Sequence, residues 1–322
     1  MSRFYDLASL AKPLVTTPLA LAFLDLDADR RWALGFHDRE TPLTVRQLLS
    51  HSSGLPPWRP FTGEPVAAQL HREVSAHPLL RAATPGLATY SDLNFRLLAE
   101  LLEAETRVPF AQLGSASGLS PAPWIQAPTD VPDGPDAIAW SLACDLPLPP
   151  REPQLPHDAN ARAGMRGHAG FGTTPEQLCA ALTGWLAAGW PERMAQPTAQ
   201  GEDGTQWGLG LQVAFSGSGR FGQLLSILPP GTGLHILEDT TEEAPVAAPA
   251  LKADPGPESG WWFHFGYTGP ALFFRPSDGS CLALLLHRRG PAGELLDAED
   301  LRARRWATLA RFVDQFMGQS GG

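Results

Sequence analysis

The chain has 322 residues, enough for one large domain or two lobes. Its formal net charge of -10 and the lack of a basic tract argue against nucleic acid as a partner, and no apolar run approaches the length of a membrane span. The three cysteines, Cys144, Cys179 and Cys281, lack metal-ligand spacing and read as small apolar residues in a reducing compartment, so neither a metal nor another cofactor is implied. Only eight residues precede Ser9, too few for a signal peptide there, which places the chain as it stands in the cytoplasm; a truncated start would allow a periplasmic or secreted protein.

In chain order, LVTTPLALAFLDLD reads as a helix leading away from Ser9. LTVRQLLSH (Leu43 to His51) has helical spacing with Thr44 as cap, and stops at SSGLPPW, where Gly54, Pro56 and Pro57 end it. Ser91 to Thr106 is amphipathic, with leucines at 93, 97, 98, 101 and 102. Residues 122–156 are proline-rich and read as loop. TPEQLCAALTGWLAAG is a helix capped by Thr174 with Pro175 in its first turn. Beyond about position 205, WGLGLQVAF, FGQLLSIL, GLHILED, WWFHFGYTGPALFFRP and CLALLLHRR read as strands, the last two joined through a turn at Pro276 to Gly279. Residues 239–259 read as a flexible excursion, and AEDLRARRWATLARFVDQFM as a closing helix. The fold class is α+β, an antiparallel sheet flanked by helices plus an inserted helical lobe. Residues 1–16 and 200–322 form the sheet lobe and 17–199 the helical lobe.

Ser9 and Lys12 are three residues apart, nearly one helical turn, so hydroxyl and amine share a face. Such a pair is either a helix cap with a surface lysine or a nucleophile with its activating base. Several further segments follow in order: LTVRQLLSHSSGLP, PGLATYSDLNFRLLAELLE, PHDANARAGMRGHAGFGTTPEQL, WGLGLQV and HFGYTGPALFFRP. Together with FYDLASLAK they resemble the class C β-lactamase and penicillin-binding-protein superfamily, which includes esterases and DD-peptidases.

The resemblance implies a β-lactamase/transpeptidase-like fold with the active site between the two lobes, and a serine hydrolase working through an acyl-enzyme on a small ester, amide or lactam. Ser9 is then the nucleophile, Lys12 its base and Tyr90 the proton shuttle. Tyr90-Ser91-Asp92 matches the family's Tyr-x-Asn, with Asp92 where Asn is common. A carboxylate there binds the Lys12 ammonium and weakens Lys12 as a base; alternatively Tyr90 is a half-buried aromatic and Asp92 a helix cap. His264-Phe265-Gly266 occupies the slot of Lys-Thr-Gly on the strand lining the site, with a slipped match at Tyr267-Thr268-Gly269 as the alternative. The backbone N–H groups of Ser9 and Tyr267 then form the oxyanion hole. Losing the Lys charge and Thr hydroxyl at His264 and Phe265 favours a neutral ester over a β-lactam. His51 and His168 read as scaffold, and His157 with Asp158 lacks a third metal ligand.

Three departures favour a pseudoenzyme that binds a ligand or partner without turnover. Asp92 and Phe265 are unorthodox, and the family's first helix and two strands have no counterpart before Ser9. The apolar strand CLALLLHRR would then be an exposed edge. A hairpin over 222–238 is predicted to cover it, since two apolar runs there flank Pro229 to Gly233. Substrate and oligomeric state are not readable from the sequence.

Overall fold

The computed structural model describes residues 4–36, 41–57, 72, 84, 86–121, 158–162, 164–202, 204–213, 220–239, 260–288 and 296–320. The strands are β1 (Tyr5–Asp6), β2 (Leu87–Ala88), β3 (Ser120–Pro121), β4 (Phe171–Thr173), β5 (Ala199–Gly201), β6 (Gln206–Trp207), β7 (Gln212–Val213), β8 (Leu234–Glu238), β9 (Trp262–Phe265), β10 (Ala271–Arg275) and β11 (Ser280–Leu285). The α-helices are α1 (Thr17–Phe23), α2 (Val45–Leu49), α3 (Asp92–Thr106), α4 (Phe110–Ser115), α5 (Ala159–Arg162), α6 (Pro175–Ala187), α7 (Trp190–Met194), α8 (Arg220–Ser226) and α9 (Ala298–Ser320). The arrangement is α+β. The larger sheet has the order β2-β5-β6-β7-β9-β10-β11-β8, and the smaller β1-β4-β3. Pairing is antiparallel except at the two ends of the larger sheet, where β2–β5 and β11–β8 run parallel. That sheet takes in Leu87–Ala88 as well as the strands beyond position 200.

β10 and β11 are apolar without alternation because both their faces are covered. Leu272, Phe274, Cys281, Ala283 and Leu285 join the main core with Leu7, Leu10 and the helices α3 and α6. Ala271, Phe273, Leu282 and Leu284 join a second core beneath α8 and α9, with Trp306, Leu309 and Val313. β9 is shared between the same two cores, with Trp262 in the first and Phe263, after Trp261 just before the strand, in the second.

The edge of β11 is covered, though not by a hairpin. β8 pairs with β11 from Cys281↔Leu234 to Leu285↔Glu238. The first half of the predicted hairpin is instead the helix α8. Phe221, Leu224, Leu225 and Leu228 recur at helical spacing and pack into the second core. Likewise WGLGLQVAF is not one strand: Trp207 and Gln212 face each other across a tight hairpin. Gly210 has φ +77, and a Cβ on Gly208 would lie 2.3 Å from Met194 O, so the chain turns where the sequence places glycine. Thr44 and Thr174 each close a capping box, with Gln47 and Gln177 respectively. The proline-rich stretch 122–156, and the excursion from position 240 to 259, lie outside the described residues. Among the described residues no helix is long and apolar enough to cross a membrane.

Candidate active site

β1 leads into the serine. The Asp6 carboxylate accepts from the Ala8 N–H at 2.8 Å, and Ala8 follows with φ +44, a left-handed conformation uncommon for a residue with a Cβ. Ser9 then lies in a three-residue 3₁₀ turn, Ala8–Leu10, followed by a π-helical turn, Lys12–Thr16, before α1 begins. Ser9 and Lys12 are therefore joined by an irregular turn and not by the α-helical turn their spacing suggests. Pro13 and Pro18 lack the N–H groups that an α-helix would direct at the Ser9 and Leu14 carbonyls. The bond from Thr17 N–H to Lys12 O spans five residues instead.

The irregular turn still brings Ser9 and Lys12 together. Lys12 is wholly buried. Its Nζ donates to Ser9 Oγ at 2.9 Å and to His168 O at 2.9 Å, and forms an ion pair with Asp92 Oδ1 at 2.7 Å. Tyr90 OH donates to the same Ser9 Oγ at 2.9 Å. Ser9, Lys12, Tyr90 and Asp92 thus form one connected group. Asp92 is the first residue of α3 and not its cap. Ser91 holds the cap position, but its hydroxyl is turned to Pro56 O at 2.5 Å.

His51 and His168, which the sequence reads as scaffold, both touch this group through atoms that spacing does not reveal. The His168 backbone carbonyl holds Lys12, while its ring Nε2 meets Asp158 Oδ1 at 2.9 Å. Asp158 is thus a histidine partner, and His157 lies outside the described residues. His51 has φ +58, and its ring packs on Tyr90 with centroids 4.6 Å apart. Its Nδ1 accepts from Ser91 N–H at 3.1 Å and faces Asn94 Nδ2 at 3.2 Å, and its carbonyl accepts from Thr89 N–H at 2.8 Å. His51 therefore laces the turn after α2 to the segment carrying Tyr90. With Nδ1 an acceptor, its proton sits on Nε2.

The electrostatics follow from burial. Desolvation alone would lower the Lys12 pKa, but Asp92 and then Tyr90 outweigh it and leave it raised above 10.5. Burial raises the Tyr90 phenol against the pull of Lys12. Burial, with Lys12 nearby, holds His51 well below 6.5 and pushes His264 down to about 3. The cluster is one ammonium, one carboxylate and two neutral imidazoles.

β9 packs beside the Ser9 turn. His264 faces the cluster, its ring centroid 6.2 Å from Tyr90 and 6.4 Å from Trp207. Its two ring nitrogens lie beyond hydrogen-bond geometry from any described partner, although the Gly210 amide is near enough to oppose the pKa shift. Phe265 departs from the expected site-lining position. Its ring turns to the opposite face of the sheet, 5.7 Å from Phe221 and 5.9 Å from Phe273. Gly266 fits its slot closely, since a Cβ there would lie 2.9 Å from Leu7 O. Tyr267, Thr268 and Gly269 form the turn beyond the strand, with Thr268 Oγ1 donating to Asp6 O at 2.8 Å. His264 and Phe265 thus lie on β9 and Gly266 just past its end, while residues 267–269 lie in the turn. Half-exposed Tyr267 carries the Arg288 guanidinium 4.0 Å over its ring. Among the described residues no group of His, Cys, Asp and Glu could hold a metal ion.

Structures of similar shape include a class C β-lactamase from Rhodobacter sphaeroides, 16% identical with TM-score 0.56, covering 97% of this chain and 86% of that one. A β-lactamase from Sulfitobacter sp. EE-36 is 17% identical with TM-score 0.56, covering 98% and 84%. A mutant of simvastatin synthase (LovD) from Aspergillus terreus is 17% identical with TM-score 0.53, covering 98% and 82%. At these identities the likeness is one of fold. No curated protein sequence matches the chain. The profile of the Beta-lactamase family matches residues 4–305, nearly the whole chain, and the chain belongs to that family, whose members are serine hydrolases.

Proposed function

We propose that the protein is a serine hydrolase that forms an acyl-enzyme on Ser9 with a small, neutral ester. The observation that carries this reading is the double engagement of Ser9 Oγ, by Lys12 Nζ at 2.9 Å and Tyr90 OH at 2.9 Å. Lys12 as an ammonium has all three hydrogens in use, on Ser9, His168 O and Asp92. To accept the Ser9 proton it must first lose one, and Asp92 at 2.7 Å opposes that loss, so the neutral amine forms as pH rises toward the raised Lys12 pKa. Ser9 Oγ then bonds to the carbonyl carbon. The Ser9 and Tyr267 N–H groups hold the oxyanion, and Tyr90 gives its proton to the departing alkoxide. Water reverses these steps to release the acid. His264, which faces the cluster as a neutral imidazole, presents no permanent cation to a substrate carboxylate, which favours an ester over a β-lactam. The loss of such a charge-assisted donor amounts to about 1.5–3 kcal/mol, roughly ten- to a hundredfold in binding.

A second reading, a pseudoenzyme, is favoured by the Lys12–Asp92 ion pair, which keeps the base charged at rest. Hydrolysis of short-chain p-nitrophenyl esters and fluorophosphonate labelling separate the two. We expect turnover and labelling in the wild type and neither in Ser9→Ala, with Lys12→Ala nearly as damaging as Ser9→Ala. A wild type that is neither labelled nor active is the pseudoenzyme, and nitrocefin turnover equal to that of the best ester overturns the preference for esters.

A further inference from the structure

Behind the turn that follows β9 lies a buried cation. Arg305, on α9, is only 8% exposed. Its Nε donates to Gly269 O at 2.7 Å, and one terminal nitrogen donates to Gly266 O and, at 3.3 Å, to Pro270 O. The guanidinium also lies 4.8 Å over the Phe265 ring. The neighbouring charges that act on it are Arg288 and Arg302, both of its own sign; with burial as the larger cause they lower its pKa to about 9. Among the described residues no carboxylate pairs with it. A buried guanidinium usually has a carboxylate partner. Here three carbonyls of one turn replace it.

That turn is closed by its own bonds, Gly266 N–H to Pro270 O at 2.8 Å and Gly269 N–H to Gly266 O at 3.2 Å. It lies against the segment leading to Ser9, since a Cβ on Gly266 would sit 2.9 Å from Leu7 O. The Gly266 carbonyl and the Tyr267 N–H belong to one peptide unit. A trans peptide points the two in opposite directions and shares electrons between them. Arg305 holds the oxygen from the α9 side, so the N–H points away from α9. Positive charge on the oxygen draws density from the nitrogen and makes the N–H a stronger donor.

We propose that Arg305 is a positioning residue for acyl transfer: it fixes the Gly266–Pro270 turn and polarises the Gly266–Tyr267 peptide toward the oxyanion. This rests on the reading of the Tyr267 N–H as half of the oxyanion hole. Removing an oxyanion-hole donor outright lowers turnover about 10²–10³-fold. Weakening one that remains in place should lower it about tenfold.

The test compares wild type, Arg305→Lys and Arg305→Gln, each verified as folded, on a p-nitrophenyl ester and on the matching thionoester. Sulfur accepts hydrogen bonds poorly, so the thionoester gains little from the hole. We expect kcat/KM for the ester to fall about tenfold in Arg305→Gln and less in Arg305→Lys. The thionoester rate should hardly change, and the acyl-enzyme carbonyl stretch should move to higher frequency. Equal losses on both substrates mean a structural role only and overturn the proposal, as does a wild-type ester rate. Where Arg305→Gln does not fold, the same ratio in Arg305→Lys decides. A wild type inert toward the ester and unlabelled by fluorophosphonate instead overturns the assignment of Ser9, and the role of Arg305 falls with it.

Discussion

Lys12 has three hydrogens and three acceptors, and one acceptor carries the charge that raises its pKa. Removing that charge in Asp92→Asn leaves burial, the largest influence, to lower it. More of Lys12 is then neutral at pH 7, about tenfold more for each pH unit by which its titration moves down. We expect the wild-type ester rate to climb with pH into the alkaline range, and the climb in Asp92→Asn to begin at lower pH. A pH–rate profile of kcat/KM measures this; an unshifted limb in Asp92→Asn would falsify the ion-pair account. Ser9, Lys12 and the Tyr90–Asp92 triplet are legible in the sequence because a three-residue spacing and a triplet are local patterns. His168 and His51 are not, because one acts through a carbonyl and the other through a ring nitrogen aimed at a backbone amide. Only the fold brings those atoms to Lys12 and Tyr90. The face that Phe265 takes is not legible either, because strand alternation assigns faces only once the neighbouring face is known.

Strand β8 sets the boundary of what pattern alone conveys at the level of elements. An apolar run needing a partner on its open edge predicts that something pairs with β11, but not the parallel direction. The helical period in Phe221, Leu224, Leu225 and Leu228 is present in the sequence and argues for α8 against a hairpin. In the ladder, Cys281 N–H donates to Gly233 O and Asp239 N–H to Leu285 O, so the odd-numbered residues of β8 bond to β11. Proline at Leu237 therefore removes a ladder donor, whereas proline at Ile236 does not. Leu237→Pro should be less stable than Ile236→Pro by about 1–3 kcal/mol in urea unfolding. Equal losses would mean that β8 adds no ladder energy. Tyr5 OH donates to Glu238 Oε1 at 2.7 Å, so β8 also holds the strand that leads to Ser9. Leu237→Pro should accordingly lose ester turnover at temperatures where it remains folded.

Across the whole molecule, two buried histidines that resist protonation make stability depend on acid. His51 and His264 are neutral in the fold, with pKa values below the 6.5 of an exposed histidine. Above pH 6.5 neither folded nor unfolded chain protonates them, so their contribution is intact. Below it the unfolded chain binds protons that the fold refuses, and stability is lost as pH falls toward about 3, where His264 itself titrates. Each histidine adds a slope of about 1.4 kcal/mol per pH unit. Urea midpoints between pH 7 and 4.5, above the range where most carboxylates titrate, should fall steadily, and His264→Leu should roughly halve the slope. A flat profile would show that the pair is solvated.

Ala8 offers a handle of a different kind. It stands immediately before Ser9 with φ +44, and its methyl group opposes that angle. Glycine would accept the angle without penalty but would also free the hinge on which the serine is presented. Ala8→Gly thus separates two objectives a protein engineer usually wants together. Tolerance to heat stays level or improves, while the serine is held less firmly and turnover declines. A library selected for thermal survival alone would be drawn to this position and would return a sturdier, slower catalyst.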